Sequence, residues 1–151
     1  MKAILQRATT GEVSVDGVVI GRLDHAPGLV IFVGVGPDDG EAEARLLADK
    51  MAGLRIFADA EGKMNLSLIE VGGGALVISQ FTLYADPRRG RRPGYTGAAS
   101  PEVAAPLVER VMDELRRRGA PVQGGRFGAH MEVRLTNDGP VTISLDTDMW
   151  R

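Results

Sequence analysis

The sequence contains no cysteine and only two histidines, His25 and His130, among its 151 residues. Without a thiol there is no disulfide scaffold, thiolate zinc site, iron–sulfur cluster or cysteine nucleophile. Two histidines also exclude a His-rich metal cage. An excess of one charge is missing as well: the net charge is −2 and the pI near 5.7, which argues against holding nucleic acid by bulk electrostatics. No apolar run approaches the ~18–20 residues of a membrane span, and Met1–Arg7 carries charge too early for a signal peptide. The expectation is a soluble cytoplasmic protein with no membrane partner. What is present is a hydrophobic content of 44%, enough at this length to predict a single domain over residues 1–151 with a substantial core.

The opening reads as strands. Lys2–Ala8 begins it, and Glu12–Val15 and Val18–Leu23 flank Asp16-Gly17, a tight-hairpin signal because both turn residues need positive φ. Gly28–Val35 is apolar throughout, as in a strand covered on both faces. Pro37-Asp38-Asp39-Gly40 then opens a helix, with Asp38 or Asp39 as its cap and Ala44, Leu47, Ala48, Met51 and Leu54 on its buried stripe. Asp59–Lys63 is turn chemistry. Gly72-Gly73-Gly74 precedes a second buried-type strand, Ala75–Leu83.

Residues 85–99 form the longest irregular stretch, and loops of this length are usually functional or disordered. Fifteen of the 18 basic residues are arginine, and Arg88, Arg89, Arg91 and Arg92 cluster here. A solvated loop and a phosphate-binding loop both fit that cluster. Ser100-Pro101-Glu102 starts a second helix with a capping hydroxyl and Pro in the first turn. Val103, Leu107, Val111 and Leu115 continue it, and Arg116-Arg117-Arg118 suits its C-terminus. Pro106 removes an interior hydrogen bond and is expected to bend or delay this helix. Val122-Gln123, Met131–Thr136 and Val141–Leu145 read as strands, the last two separated by a turn at Asn137-Asp138-Gly139-Pro140. The implied fold class is α/β: a β-hairpin, two strand–helix units and C-terminal strands, in a mixed sheet with two main helices.

None of the common catalytic sets is present. There is no His-Glu-x-x-His, no phosphate loop ending in Gly-Lys-Ser/Thr and no dinucleotide glycine fingerprint, and His25 and His130 both sit in loop-like sequence. Two segments are more informative. In Ser79-Gln80-Phe81-Thr82 polar side chains punctuate an apolar strand, and burying them unpaired costs ~1–3 kcal/mol each, so they point to a polar cleft or to one another. A strand emerging into solvent would look the same. Asn137–Thr142 reads locally as a hairpin turn.

Together with Gln6-Arg7, Arg55-Ile56-Phe57, Asp59–Leu66, Asp86, Arg89-Gly90, Arg92-Pro93, Ala99-Ser100-Pro101 and Gly125-Arg126-Phe127, these segments resemble, in order and along essentially the whole chain, the D-aminoacyl-tRNA deacylase family. Departures are small, such as Gly94 where serine is common and His130 at a variable position. The resemblance implies a curved, barrel-like sheet and a homodimer acting on D-aminoacyl-tRNA and glycyl-tRNA, with no cofactor, metal or DNA partner. It implies a pocket shaped by Ser79, Gln80, Phe81 and Thr82. It also implies a cis Gly139-Pro140 bond that reaches into the neighbouring subunit, held by Arg7 and Asn137. A main-chain wall of this kind would collide with any L-side chain and pass D-amino acids of many sizes. Within that family Arg88, Arg89, Arg91 and Arg92 become candidate tRNA contacts. A tRNA-binding module without turnover, or an editing domain for another mischarged pair, are the alternatives.

Overall fold

Two-residue alternation along the central strands sends apolar side chains to both faces of one curved sheet in the computed structural model, which describes residues 1–150. In chain order the elements are β1 (Lys2–Val15), β2 (Val18–Arg22), β3 (Gly28–Gly34), α1 (Glu41–Gly53), β4 (Phe57–Ala58), β5 (Met64–Leu66), β6 (Ala75–Ser79), α2 (Pro101–Arg117), β7 (Val122–Gly124) and β8 (Glu132–Asp146). Short 3₁₀ turns cover Phe81–Tyr84 and Thr147–Trp150. Leu29, Ile31 and Val33 of β3, with Ala75 and Val77 of β6, face a core shared with α1 and α2. The intervening Val30, Leu76 and Ile78 turn the other way, into a second cluster with Val13 that Phe32 and Leu135 pack against. That is the period-2 geometry of a strand buried on both sides.

The long β1 organises the sheet. It pairs antiparallel with β2 and β3 and, along nearly its whole length, with β8. β3 and β6 run parallel, and β7 continues the parallel set. The far edge then returns to the first hairpin: Arg22 N donates to Gln123 Oε1 at 2.7 Å. A Cβ added to Gly21 would stand 2.5 Å from the Gly124 carbonyl oxygen, so only glycine lets these two backbones meet. The sheet is therefore nearly closed, with β8 outside the loop.

The Asp16-Gly17 hairpin forms, with φ of 50° and 77° at its centre. Several local expectations are corrected. Residues 2–8 and 12–15 belong to one continuous strand, because β8 supplies a ladder across the intervening residues. Neither Asp38 nor Asp39 caps α1. Gly40 is its N-cap, and the Glu43 carboxylate accepts from Gly40 N at 2.9 Å. Ser100 is the N-cap of α2, but its hydroxyl makes no capping bond. Pro106 does not delay that helix, which runs from Pro101 through it to Arg117. The second buried strand ends at Ser79 rather than Leu83, and no turn interrupts residues 132–146.

The two helices carry a charged network at their interface. Glu114 on α2 is buried and lies within 2.8 Å of Arg118, 3.1 Å of Arg110 and 3.3 Å of Arg117. Its hydrogen bond from Arg118, aided by the charges of Arg110 and Arg117, holds its carboxyl below the usual glutamate range. A depressed folded-state value makes the contribution complete above the unfolded value, roughly pH 4.3, and lost as pH falls through the folded one. Glu114→Gln is therefore expected to lower Tm at pH 7, with the gap to the unmodified protein closing as melts are run down towards pH 3. A gap that stays constant with pH would contradict this.

Candidate active site

The parallel strands β3 and β6 end side by side, and the chain leaves both of them next to the start of α2. A cavity of about 370 Å³ opens there, at the carboxyl ends of parallel strands where α/β sheets commonly take ligands. Val33, Val35 and Ser79 form its floor, Ala104 and Val108 of α2 one wall, and Phe81, Tyr95 and Phe127 its aromatic rim. A second cavity of about 220 Å³ lies on the far side of residues 79–81, towards His130 and Met131. Ser79, Gln80 and Phe81 line both.

The segment is held from the strand side. Gln80 N donates to the Val33 carbonyl at 2.7 Å, and Leu83 N closes the turn on the Gln80 carbonyl at 3.2 Å. The N–H groups of Phe81 and Thr82 precede that closing bond, so the turn itself offers them no acceptor. Phe81 is 57% exposed, and its ring meets Tyr95 edge-on at 5.0 Å. Thr82 lines neither cavity. Its Oγ1 accepts a hydrogen bond from the Gln80 side-chain amide.

The second sequence-predicted group lies elsewhere. Gln6 pairs with Thr142 and Ala8 with Asn137, so the single residue Arg7 faces four on β8 and Asp138–Val141 bulge out of the ladder. Gly139 and Pro140 are exposed at the tip of this knuckle, and the bond between them is cis, as is Ala26–Pro27. Asn137 Nδ2 closes its base by donating to the carbonyls of Arg7 and Val141, both at 3.0 Å. Arg7 braces it from behind: Nε donates to the Asp138 carbonyl at 3.1 Å and Nη1 to the Ile56 carbonyl at 2.7 Å. Neither Gly139 nor Pro140 lines the cavities beside Phe81. Within one chain the fold thus assembles Ser79–Thr82 as one group and Arg7, Asn137, Gly139 and Pro140 as another, and keeps the two apart.

The arginine loop is anchored to the end of the same turn. Asp86 and Gly94 form a two-bond antiparallel bridge at 2.8 and 2.9 Å. Arg88 clamps Asp86 through both carboxylate oxygens, at 2.8 and 2.7 Å, which pulls that carboxyl down to about 2. Arg89 and Arg92 line an open groove of about 650 Å³ next to this clamp. Tyr95 and Phe127 at the cavity rim escape sequence reasoning as site residues. Their one signal is a large aromatic in a glycine-rich loop of a chain only 5% aromatic.

The family model for D-Tyr-tRNA(Tyr) deacylase matches residues 4–146. The chain belongs to this deacylase family. It is 59% identical over 151 residues to a D-aminoacyl-tRNA deacylase of Roseiflexus castenholzii, covering all of this chain and 95% of the relative. A D-aminoacyl-tRNA deacylase of Symbiobacterium thermophilum is 53% identical, with 98% and 97% covered. Among solved structures, one described as a c-Myc DNA unwinding element binding protein superposes with a TM-score of 0.89 at 34% identity, covering 97% of this chain and 98% of that one. A probable eukaryotic D-amino acid tRNA deacylase, 19% identical, shares the fold with a TM-score of 0.79, covering 95% and 97%. Among the described residues, none of the helices is long and apolar enough to cross a membrane.

Proposed function

We propose that this chain hydrolyses the ester of D-aminoacyl-tRNA, releasing free amino acid and tRNA, at the cavity bounded by Ser79, Gln80 and Phe81. The observation that carries the reading is the turn itself: the N–H groups of Phe81 and Thr82 have no acceptor in their own turn, and Phe81, where that turn starts, lines the cavity with an apolar wall at the ends of β3 and β6. Such donors stabilise an oxyanion, each worth about 10²–10³ in rate where measured in other enzymes. The substrate needs little more. An aminoacyl ester is already activated, and the terminal adenosine carries a free ribose hydroxyl beside it. Holding that hydroxyl or a water near the carbonyl supplies several kcal/mol more. Thr82 is not the nucleophile in this reading, since the group bonded to its hydroxyl is an amide and not a base.

Chirality is assigned to the Gly139-Pro140 knuckle, acting in a homodimer. Because it stands away from its own chain's cavity, a wall against the substrate α-carbon requires a second copy. A wall made of backbone rejects every L-side chain alike and admits glycine, so glycyl-tRNA, as mischarged on tRNA(Ala), is the second substrate. The reaction belongs in the cytoplasm, where aminoacyl-tRNA is used, and includes no DNA partner. Incubating the protein with D-tyrosyl-, glycyl- and L-tyrosyl-tRNA tests this. The first two esters should be lost and the third retained. Equal loss of all three would overturn the chirality assignment. Binding without ester loss would favour a tRNA-binding module.

We assign tRNA phosphates to Arg89, Arg91 and Arg92; Arg89 and Arg92 line the open groove, whereas Arg88 is already engaged by Asp86. Replacing those three with glutamine should raise KM and reduce the steepness of its salt dependence by about two to three units in a double-logarithmic plot. Arg88→Gln alone should change that slope little. An unaltered slope in the triple variant would remove the loop from the interface.

A further inference from the structure

The turn that carries the Phe81 and Thr82 N–H groups ends on a side chain that lines neither of the two cavities that Phe81 lines. Tyr84 closes the turn and packs back against the start of β1 and the end of β3. Lys2 Nζ stands 4.8 Å from its ring centroid. A Cβ added to Gly34 would come within 3.2 Å of the ring, and one on Gly36 within 3.0 Å of the hydroxyl. At its tip the hydroxyl donates to Asp39 Oδ2 at 3.3 Å.

Asp39 is a fixed point. Its Oδ1 accepts from the Met1 ammonium at 2.6 Å, and its Oδ2 accepts from Gly36 N at 2.6 Å. The ammonium and the carboxylate are both buried. A carboxylate tied down in this way does not follow the tyrosine; the tyrosine registers on it. Burial and the Asp39 charge also push the Tyr84 phenol far above its usual range, so the hydroxyl remains a donor throughout physiological pH.

We infer that Asp39 and Tyr84 are positioning residues for the deacylation, setting the tilt of turn Phe81–Tyr84 and hence the aim of its N–H groups at the ester carbonyl. One end of the turn is held by the Gln80–Val33 bond and the other by this pair. A displacement well under the size of an atom at such donors is felt mainly in the transition state, because geometry that serves a developing oxyanion adds little to ground-state binding. The inference rests on the proposed role of this turn.

The test is single-turnover and steady-state deacylation of D-tyrosyl-tRNA by Tyr84→Phe, Asp39→Asn and the double variant, with Tm measured on each. Tyr84→Phe keeps the ring and its packing and loses only the hydroxyl. Its kcat should fall about five- to tenfold with KM within about twofold, and its Tm should change little. The double variant should be no slower than the slower single one, as expected of two residues acting through one bond. Should Asp39→Asn fail to fold, Tyr84→Phe and Tyr84→Leu decide, with kcat graded from tyrosine to phenylalanine to leucine at constant KM. An unchanged kcat in Tyr84→Phe, or independent effects that multiply in the double variant, would overturn the pair. An inactive unmodified protein would instead overturn the proposed function, so the two failures are separable.

Discussion

A D-aminoacyl-tRNA ending in 2′-deoxyadenosine is expected to be cleaved at least about a hundredfold more slowly than the ribose form, while Thr82→Ala keeps kcat within about fivefold. The first effect follows from what the site contains. In the proposed reading the Phe81–Tyr84 turn offers hydrogen-bond donors beside a shaped cavity, and the reacting oxygen comes from water or from the substrate. Orienting a neighbouring hydroxyl converts a bimolecular step into one within the bound complex, which is where an effect of that size arises. The second follows from Thr82 standing outside both cavity walls with its oxygen accepting the Gln80 amide. Single-turnover ester cleavage on the two substrates and two proteins checks both. A fast deoxy substrate with an inactive Thr82→Ala protein would restore threonine as the nucleophile.

Gly139→Ala is expected to reduce the ratio of kcat/KM for D- over L-tyrosyl-tRNA by roughly ten- to a hundredfold. Gly139 has φ of 129°, and an added Cβ would lie 2.8 Å from Val141 Cγ2, 3.0 Å from Val141 N and 3.1 Å from Arg7 Nη2. A side chain there is strained by its backbone conformation as well as by its neighbours, a cost on the order of 1–3 kcal/mol. The tip of the knuckle must shift, or Arg7 must let go. Arg7→Lys should act in the same direction more weakly, since an ammonium cannot span the Asp138 and Ile56 carbonyls that the guanidinium bonds from two of its nitrogens. Discrimination retained in both variants would show that handedness is read elsewhere.

Elements whose signal is local were readable in advance. The Asp16-Gly17 turn, the two-sided burial of β3 and the end of α2 at Arg116–Arg118 each follow from neighbouring residues alone. Where the reading failed, a distant partner made the decision. Residues 137–140 carry every local mark of a hairpin turn, yet they continue a strand because β1 supplies the ladder on both sides of Arg7. Phe81–Tyr84 looks like the end of a strand, yet it leaves the sheet at Gln80, after the parallel pairing of β3 with β6 runs out at Val33–Ser79. Pro106 stays inside α2, a helix whose Leu107, Val108 and Val111 are buried in the core it shares with α1 and the sheet.

The site divides in the same way. Ser79–Thr82 and Asn137–Pro140 stand out as candidate site segments from residue type, order and resemblance. Their placement was not, because spacing along a chain does not say which strand will bulge or which cavity a turn will overhang. By itself the sequence determined the composition of the core, the family and the candidates for the site. The tertiary structure alone decided that the donor turn and the Gly139-Pro140 knuckle lie apart within one chain, and that Tyr84 is tied to Asp39 across 45 residues. These are contacts between segments remote in sequence, chosen by which backbones can approach and which polar groups must find partners once water is excluded.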